Sequence, residues 1–198
     1  MKIYADNQSG NCYKIKLLTS LLEIEHEWIH IDIMANETLT PSFLKMNPNG
    51  KIPLLELDDG RLLSESNAIL NYLASDTSLA VDDSFVKAKI LQWQFFEQYS
   101  HEPFIAVARF IAKYLGLPKD RKADYESKQE GGHKALKIME EQLQKTPYLV
   151  GNKLTTADIS LYGYTHVADE GGFDLNKYPA IQRWLTRIKD HPSYVGMS

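Results

Sequence analysis

The chain lacks several residue patterns that would assign it to a common functional class. It has a single cysteine, Cys12, among 198 residues, so it can form no internal disulfide. One cysteine also excludes a Cys-x-x-Cys redox pair and a thiolate zinc cluster, and we expect no metal site. Low cysteine usage is typical of a reducing compartment, and we therefore expect a cytoplasmic protein.

A surplus of positive charge and a long apolar run are also missing. The net charge is −4 and the sequence pI is about 5.9. A nucleic-acid partner usually requires a basic surplus, so none is expected. No run approaches the roughly 18 apolar residues that cross a bilayer, and the N-terminus turns polar after five residues, so we expect neither a membrane partner nor a secretory signal. The 43% hydrophobic content suffices for one or two cores.

The first 76 residues alternate between strand and helix patterns. Asp58-Asp59-Gly60 separates two short apolar runs, as in a β-hairpin. Ser64 is a candidate N-cap for the helix that follows. We predict strands over residues 2–5, 28–33, 54–57 and 61–63, and helices over 15–22, 41–46 and 67–73. This order predicts an α/β domain, with one small sheet flanked by helices.

Strand patterns disappear after a polar connector that ends at Ser84. The rest of the chain, residues 84–198, is predicted to be an all-α domain. Pro103 is expected to kink or split the first and most aromatic of its helices. We predict helices over residues 85–114, 123–145, 155–169 and 179–190, the third of them buried.

Four motifs follow one another in a specific order: Ser9 in the loop before the first helix, Asn-Pro-Asn-Gly-Lys-Ile-Pro at 47–53, Leu-Ser-Glu-Ser-Asn-Ala-Ile at 63–69 and Leu-Thr-Thr-Ala-Asp-Ile at 154–159. With these motifs the whole chain resembles the cytosolic glutathione S-transferases, and most of all their bacterial theta-like members that use serine. The resemblance implies a thioredoxin-like N-terminal domain, a helical C-terminal domain and a homodimer. It also implies reduced glutathione as co-substrate, with no tightly bound cofactor.

Three residues around the start of the first helix are candidate catalytic groups. Ser9 is the first choice, because a hydroxyl can donate a hydrogen bond to a thiolate at a helix N-terminus. Its alternative is a helix cap or a turn residue. Cys12 is the rival, since a first-turn thiol often has a depressed pKa, although free cysteines are commonly just small, half-buried residues. Asn11 is a supporting hydrogen-bond donor.

The resemblance assigns two further motifs to glutathione. Ile52-Pro53 matches a pair in which a cis proline lets the main chain of Ile52 bind the cysteinyl part, although an ordinary trans proline is the alternative. Glu65 and Ser66 suit the ammonium and carboxylate of the γ-glutamyl end, and they also suit a plain helix N-terminus. Lys51 is a candidate for the glycyl carboxylate, but exposed lysines are usually just solvated.

A second pocket for a small hydrophobic electrophile is predicted from polar and aromatic residues of the helical domain. Arg109 is its candidate contact for an anionic substrate. Aromatic residues at helical spacing also fit a packed core. The candidates are His101, Phe104, Arg109, Phe110 and Tyr164. Thr155 and Asp158 have the spacing of a capping box and are interpreted as structural.

Three functions remain open at this point. The leading one is an enzyme that adds the glutathione thiolate to an electrophile. The second is glutathione-dependent disulfide exchange or peroxide reduction that uses Cys12. The third is a non-catalytic binding module, because one fold can carry several functions.

Overall fold

A computed structural model describes residues 1–197, and their contacts divide the chain into two units. The N-terminal unit contains Met1–Ala80 together with the described residues from Pro192 onward, and the helical unit contains Val81–His191. This division falls at the polar connector that the sequence indicates. The C-terminal end differs from the expectation, since it belongs to the N-terminal unit and not to the helical one.

Hydrogen bonds explain why the C-terminal segment, residues 192–197, belongs there. Side chains of helix α1 (Gly10–Leu21) donate to alternate main-chain carbonyls of this segment. The three bonds are Ser20 to Ser193 at 2.7 Å, Tyr13 to Val195 at 2.8 Å and Lys16 to Met197 at 3.1 Å. Periodicity did not show this contact, because the segment forms neither a helix nor a strand.

The N-terminal unit is built on a four-stranded mixed sheet. Its strands are β1 (Lys2–Ala5), β2 (Glu27–His30), β3 (Leu54–Glu56) and β4 (Leu62–Ser64), in the order β2-β1-β3-β4. Strands β1 and β2 are parallel and the other pairs are antiparallel, with Ile3 opposite both Trp28 and Leu55. The sheet has the α/β composition that the sequence predicts.

Strand β2 ends at His30, three residues before the predicted end. The next residues form a turn instead, because the carboxylate of Asp32 accepts hydrogen bonds from the main-chain N–H groups of Met34 and Ala35. An aspartate that bonds its own following backbone competes with strand pairing.

Three helices flank the sheet: α1, α2 (Pro41–Met46) and α3 (Ser66–Ala74). Helix α2 has the predicted bounds, and the Thr40 hydroxyl caps it by accepting from Phe43 N at 3.3 Å. The predicted cap of α3 is wrong, because Ser64 lies in β4. Glu65 occupies the cap position with a φ of 70° and makes no side-chain capping bond.

The helical unit contains α4 (Ser84–Phe96), α5 (Glu102–Arg109), α6 (Lys122–Leu143), α7 (Thr156–Thr165) and α8 (Pro179–Lys189). A π-helical turn over Glu97–His101 joins α4 to α5, and another over Phe110–Tyr114 follows α5. Pro103 lies in the first turn of α5, where a missing N–H group breaks no helical bond. The expected split of the long aromatic helix therefore occurs as a π turn just before the proline.

Helix α7 forms the centre of the helical unit, and all ten of its residues are buried, as predicted. Its N-terminus carries the capping box of Thr155 and Asp158. The fully buried Asp158 carboxylate accepts from Thr155 N and Oγ1 at 2.9 Å each, Leu149 N at 2.8 Å and Trp184 Nε1 at 3.0 Å. Burial raises the pKa of Asp158, and the four hydrogen bonds oppose that rise.

Within residues 1–197 no helix combines the length and apolar character needed to cross a membrane.

Candidate functional site

The loop between β1 and α1 places Ser9 at the helix N-terminus. The buried Asp6 shapes this loop, since its carboxylate accepts from Gln8 N at 2.7 Å and its carbonyl accepts from Ser9 N at 3.2 Å. The half-buried Ser9 then caps α1, with its Oγ accepting from Cys12 N at 3.4 Å. The alternative interpretation of Ser9 as a helix cap therefore describes the geometry correctly.

Capping leaves Ser9 able to act on an anion. A hydroxyl can accept one hydrogen bond and still donate its own hydrogen to a second group. The first turn of α1 contains no acidic residue, so no carboxylate of its own competes for the positive end of the helix dipole. A thiolate next to Ser9 would therefore meet a hydroxyl donor and a helix N-terminus together.

Cys12 lies in the first turn of the same helix, and its side chain is in the core. Its side chain has no exposed area, and its Sγ accepts from Asp6 N at 3.5 Å. Burial raises the pKa of Cys12 to about 12, despite the hydrogen bonds from Ser9 and Asp6 that lower it. The expected depression of this pKa is wrong, because loss of water outweighs the helix N-terminus. The thiol is also fully buried and not half-buried.

The loop before β3 presents the main chain of Ile52. The Ile52–Pro53 bond is cis, as the resemblance implies. Asn47 Nδ2 donates to Lys51 O at 2.7 Å and ties the loop to its own start. No described residue forms a hydrogen bond to the main chain of Ile52, so its N–H and C=O remain open to a ligand. The Lys51 side chain is exposed.

The start of α3 combines strain with a buried hydroxyl. Glu65 is exposed and has φ 70° and ψ 113°, a rare backbone conformation for a residue with a Cβ. Such strain tends to occur where a ligand site requires it. Ser66, the first helical residue, is 6% exposed, and no acidic residue occupies the first turn. Both predicted γ-glutamyl contacts therefore lie together at one helix N-terminus.

A hydrogen-bonded chain joins the start of α1 to the start of α3. Lys14 Nζ donates to Ser66 Oγ at 3.2 Å, and Ser66 Oγ donates to Asn11 Oδ1 at 3.4 Å. Sequence reasoning missed Lys14, which is fully buried. The sequence did contain an indication of this burial. Lys14 stands next to Ile15 on the apolar part of α1, where a solvent-exposed lysine is not expected.

The polar candidates for the second-substrate pocket are engaged inside the helical unit. His101 is fully buried, and its Nε2 lies 2.9 Å from Thr165 Oγ1. Arg109 is 3% exposed, and its Nε donates to Glu170 Oε2 at 2.6 Å. An arginine that neutralises a carboxylate of its own chain is a poor anchor for an anionic substrate. A structural role for Arg109 fits this contact better.

The aromatic candidates also pack within that unit. Phe104 packs against Gly131, where an added Cβ would meet its ring at 2.3 Å. Phe110 stacks on Tyr114 with ring centroids 5.3 Å apart, and Tyr164 is buried. The core interpretation fits Tyr164, whereas Phe104 and Phe110 are half-buried, and the second-substrate assignment stays a prediction.

One motif passed over in the sequence is His26-Glu27-Trp28-Ile29-His30, whose spacing binds zinc when it lies on a helix. Here Glu27–His30 is strand β2, so the two histidines do not share a helical face. His26 Nδ1 instead lies 2.9 Å from Ile24 O. In the described part of the chain no group of three or more His, Cys, Asp or Glu side chains is placed to hold a metal ion.

Known families match both units. Residues 8–76 match the glutathione S-transferase N-terminal domain, and residues 89–192 match the glutathione S-transferase C-terminal domain. The chain belongs to the glutathione S-transferase family. The family and the fold class predicted from the sequence are thereby confirmed. Both matches describe glutathione S-transferases in general, so the serine-type subclass stays a prediction.

Individual known proteins are similar to this chain over nearly its whole length. A solved glutathione S-transferase from Pseudomonas fluorescens Pf-5 is 57% identical, with a TM-score of 0.97 and coverage of 99% of this chain and 98% of that one. The URE2P6 glutathione transferase of Phanerochaete chrysosporium, solved with oxidized glutathione, is 25% identical, with a TM-score of 0.88 and coverage of 97% and 91%. The disulfide-bond oxidoreductase YfcG of Escherichia coli is 28% identical over 92% of this chain and 87% of its own length.

Proposed function

We propose that this chain is a serine-type glutathione S-transferase that activates the thiol of reduced glutathione for attack on a small hydrophobic electrophile. The observation that carries the proposal is the position of Ser9, whose hydroxyl stands at the N-terminus of α1 and caps it. Membership of the family supports glutathione as the ligand, as does the URE2P6 structure, which was solved in complex with oxidized glutathione.

In the proposed complex, the N-terminal unit holds the peptide along its length. The main-chain amides at the start of α3, that of Ser66 among them, receive the γ-glutamyl carboxylate, and the exposed Glu65 receives the ammonium. The open main chain of Ile52 pairs with the cysteinyl part in the manner of an added strand. Lys51 lies on the same loop and is the candidate for the glycyl carboxylate.

The site then stabilises a thiolate. A serine hydroxyl is far too weak a base to remove the thiol proton, so the proton leaves to solvent and Ser9 donates to the sulfur that remains. Lowering a thiol pKa by about two units requires roughly 2.7 kcal/mol of preferential stabilisation of the thiolate. One charge-assisted hydrogen bond and a helix N-terminus can supply that amount. The thiolate attacks the electrophile, and the electron pair of the broken bond departs with the leaving group.

The test is the pH dependence of glutathione conjugation to an aryl halide, for the wild type and two variants. Ser9→Ala should raise the apparent pKa and lower the turnover at neutral pH. Cys12→Ala should keep the wild-type profile, since the buried thiol does not reach the ligand. An inactive wild type, or a profile that only Cys12→Ala changes, contradicts the proposal.

A second candidate function is suggested by the similarity to YfcG, whose name describes a disulfide-bond oxidoreductase. Reduction of a glutathione mixed disulfide by the same three proteins tests it. Dependence on Cys12 would support exchange through that thiol, although its burial argues against this route. If the protein binds glutathione but catalyses neither conjugation nor disulfide exchange nor peroxide reduction, the result would support the non-catalytic binding module.

We also propose that the protein is a cytoplasmic homodimer. One face of α4 and the following π turn exposes large apolar side chains: Phe85 (72% exposed), Leu91 (43%), Phe95 (62%) and Tyr99 (80%). Residues Trp93 and Gln94 of the same stretch are buried and belong to the core of the unit. Monomers rarely leave a contiguous apolar stripe in water, so a second copy of the chain is the proposed cover.

A further inference from the structure

Lys14 is an unusual residue for the interior of the N-terminal unit, because its side chain has no exposed area. Taking an ammonium group out of water costs several kcal/mol unless hydrogen bonds compensate. Among its partners is Ser66, the residue proposed to receive the γ-glutamyl carboxylate. Lysines are normally found at the protein surface, so the burial of Lys14 indicates a specific role for this residue.

The direction of the hydrogen bonds follows from the chemistry of the three groups. An ammonium has three donors and no acceptor, so at 3.2 Å the Ser66 oxygen must accept from Lys14. Ser66 then directs its single hydrogen to Asn11 Oδ1 at 3.4 Å. The bond from Lys14 thereby orients the Ser66 hydroxyl. The oriented Ser66 hydroxyl in turn holds the Asn11 amide with its oxygen toward Ser66.

This arrangement leaves the NH₂ group of Asn11 on the side away from Ser66. Asn11 is half-buried in the first turn of α1, two residues after Ser9. Within residues 1–197 its amide nitrogen has no hydrogen-bond acceptor. An amide donor without an acceptor, held at a helix N-terminus, is suited to an anion.

We propose that Lys14 is a positioning residue that acts through Ser66 to hold the Asn11 amide with its NH₂ group toward the thiolate of bound glutathione. Lys14 and Asn11 are three residues apart on α1 and therefore share one face of the helix. Ser66 thus uses its hydroxyl for the Asn11 amide, and its main-chain N–H at the start of α3 stays with the γ-glutamyl end. The inference rests on the proposed function and adds a residue that lies outside the four motifs.

The first test is Lys14→Met, which removes the charge and the donor but keeps an apolar side chain of similar length. The pKa of the bound thiol is read from the ultraviolet absorbance of the thiolate at saturating glutathione. We expect this pKa to rise toward that of free glutathione and kcat at neutral pH to fall about tenfold, the size expected for one hydrogen bond to a charged group. Lys16→Met, on the same helix but bonded to Met197 O, is the matched control and should keep the wild-type values.

A double-mutant cycle separates positioning from a simple effect of charge. Asn11→Ala alone should raise the thiol pKa, and adding Lys14→Met should raise it no further. An equal rise from Lys14→Met with and without Asn11 would show that Lys14 acts through its charge alone and would overturn the proposal. An unchanged pKa in Lys14→Met would overturn it as well.

Two further measurements keep these outcomes distinct. Calorimetry of glutathione binding to the wild type comes first: absence of binding overturns the proposed function and this inference with it. Binding together with an unchanged thiol pKa in Lys14→Met overturns this inference alone. Ser66→Ala interrupts the chain while Lys14 stays in place, so an unchanged pKa there overturns the inference even if Lys14→Met does not fold.

Discussion

Asp158 connects three separate parts of the helical unit through one carboxylate. Its four donors come from the Thr155 cap, the loop at Leu149 and the indole of Trp184 on α8. Each of these residues is buried, so water cannot replace the carboxylate if it is removed. A motif that reads as a local helix cap therefore also ties a loop and a second helix to α7.

Asp158→Ala should consequently lower the free energy of unfolding by roughly 3 kcal/mol or more, since each buried donor left without an acceptor costs about 1–3 kcal/mol. Urea unfolding followed by circular dichroism measures the change. Asp158→Asn, which keeps the shape and one carbonyl oxygen, should lose less stability than Asp158→Ala. An unfolding midpoint equal to the wild type in Asp158→Ala would contradict the structural assignment.

His166 is a second residue whose burial has a measurable consequence. Its ring stacks on Tyr162 at 4.9 Å, and its Nδ1 lies 2.7 Å from Tyr162 O. Burial lowers the pKa of His166 from 6.5 to about 4. The unfolded chain therefore takes up a proton near pH 6.5 that the folded protein refuses until about pH 4.

The stabilising contribution of neutral His166 should be complete above pH 6.5 and lost as the pH falls toward 4, by up to about 3 kcal/mol. His166→Phe keeps an aromatic ring on Tyr162 and removes the titration, so its stability should fall less between these pH values than that of the wild type. His30→Gln, on an exposed strand position, leaves His166 in place and should keep the wild-type dependence. Equal acid sensitivity in His166→Phe and the wild type would refute the assignment.

At the scale of elements, helices α5 and α6 approach closely because α6 has Gly131 at the contact. An added Cβ there would meet the Phe104 ring at 2.3 Å, a distance that forces the ring to move. Glycine normally weakens a helix by about 1 kcal/mol relative to alanine. Its presence in the middle of α6 is therefore explained by packing.

Gly131→Ala should destabilise the protein by about 1–3 kcal/mol, against the usual gain in helix propensity, because the contact between α5 and α6 becomes overpacked. Thermal and urea unfolding measure this loss. A smaller side chain at the contact should relieve it, so Gly131→Ala should cost less in a Phe104→Leu background than in the wild type. A stabilised Gly131→Ala variant would contradict the close packing of these two helices.

For the whole molecule, the main prediction is the oligomeric state. Sedimentation equilibrium should give a mass near twice the 22.6 kDa of one chain. Phe95→Glu places a charge in the exposed apolar stripe on α4 and should shift the mass toward one chain. Ile138→Glu, on an exposed position of α6 outside that stripe, is the control and should leave the dimer intact. A wild-type mass near one chain would remove the homodimer from the proposal.

Local patterns were sufficient where a structure depends on neighbours in sequence. The bounds of α2, the hairpin of β3 and β4 and the burial of α7 follow from periodicity, turn residues and caps. The two-domain architecture follows from the change of pattern after residue 76. The motifs around Ser9, Ile52 and Glu65 also located the candidate site, because each combines a turn or a helix start with a distinctive residue type.

The tertiary structure determined which side chains are buried, and with that their pKa values and hydrogen-bond partners. Cys12 and Lys14 have ordinary positions in a helix pattern, yet both are completely enclosed, which raises the pKa of the thiol and joins the ammonium to Ser66. Such outcomes depend on residues far apart in the chain, as Lys14 and Ser66 are. The sequence by itself therefore determined the family, the elements and the motifs, whereas only the fold, through desolvation and long-range hydrogen bonds, decided which polar groups are buried and what they bond to.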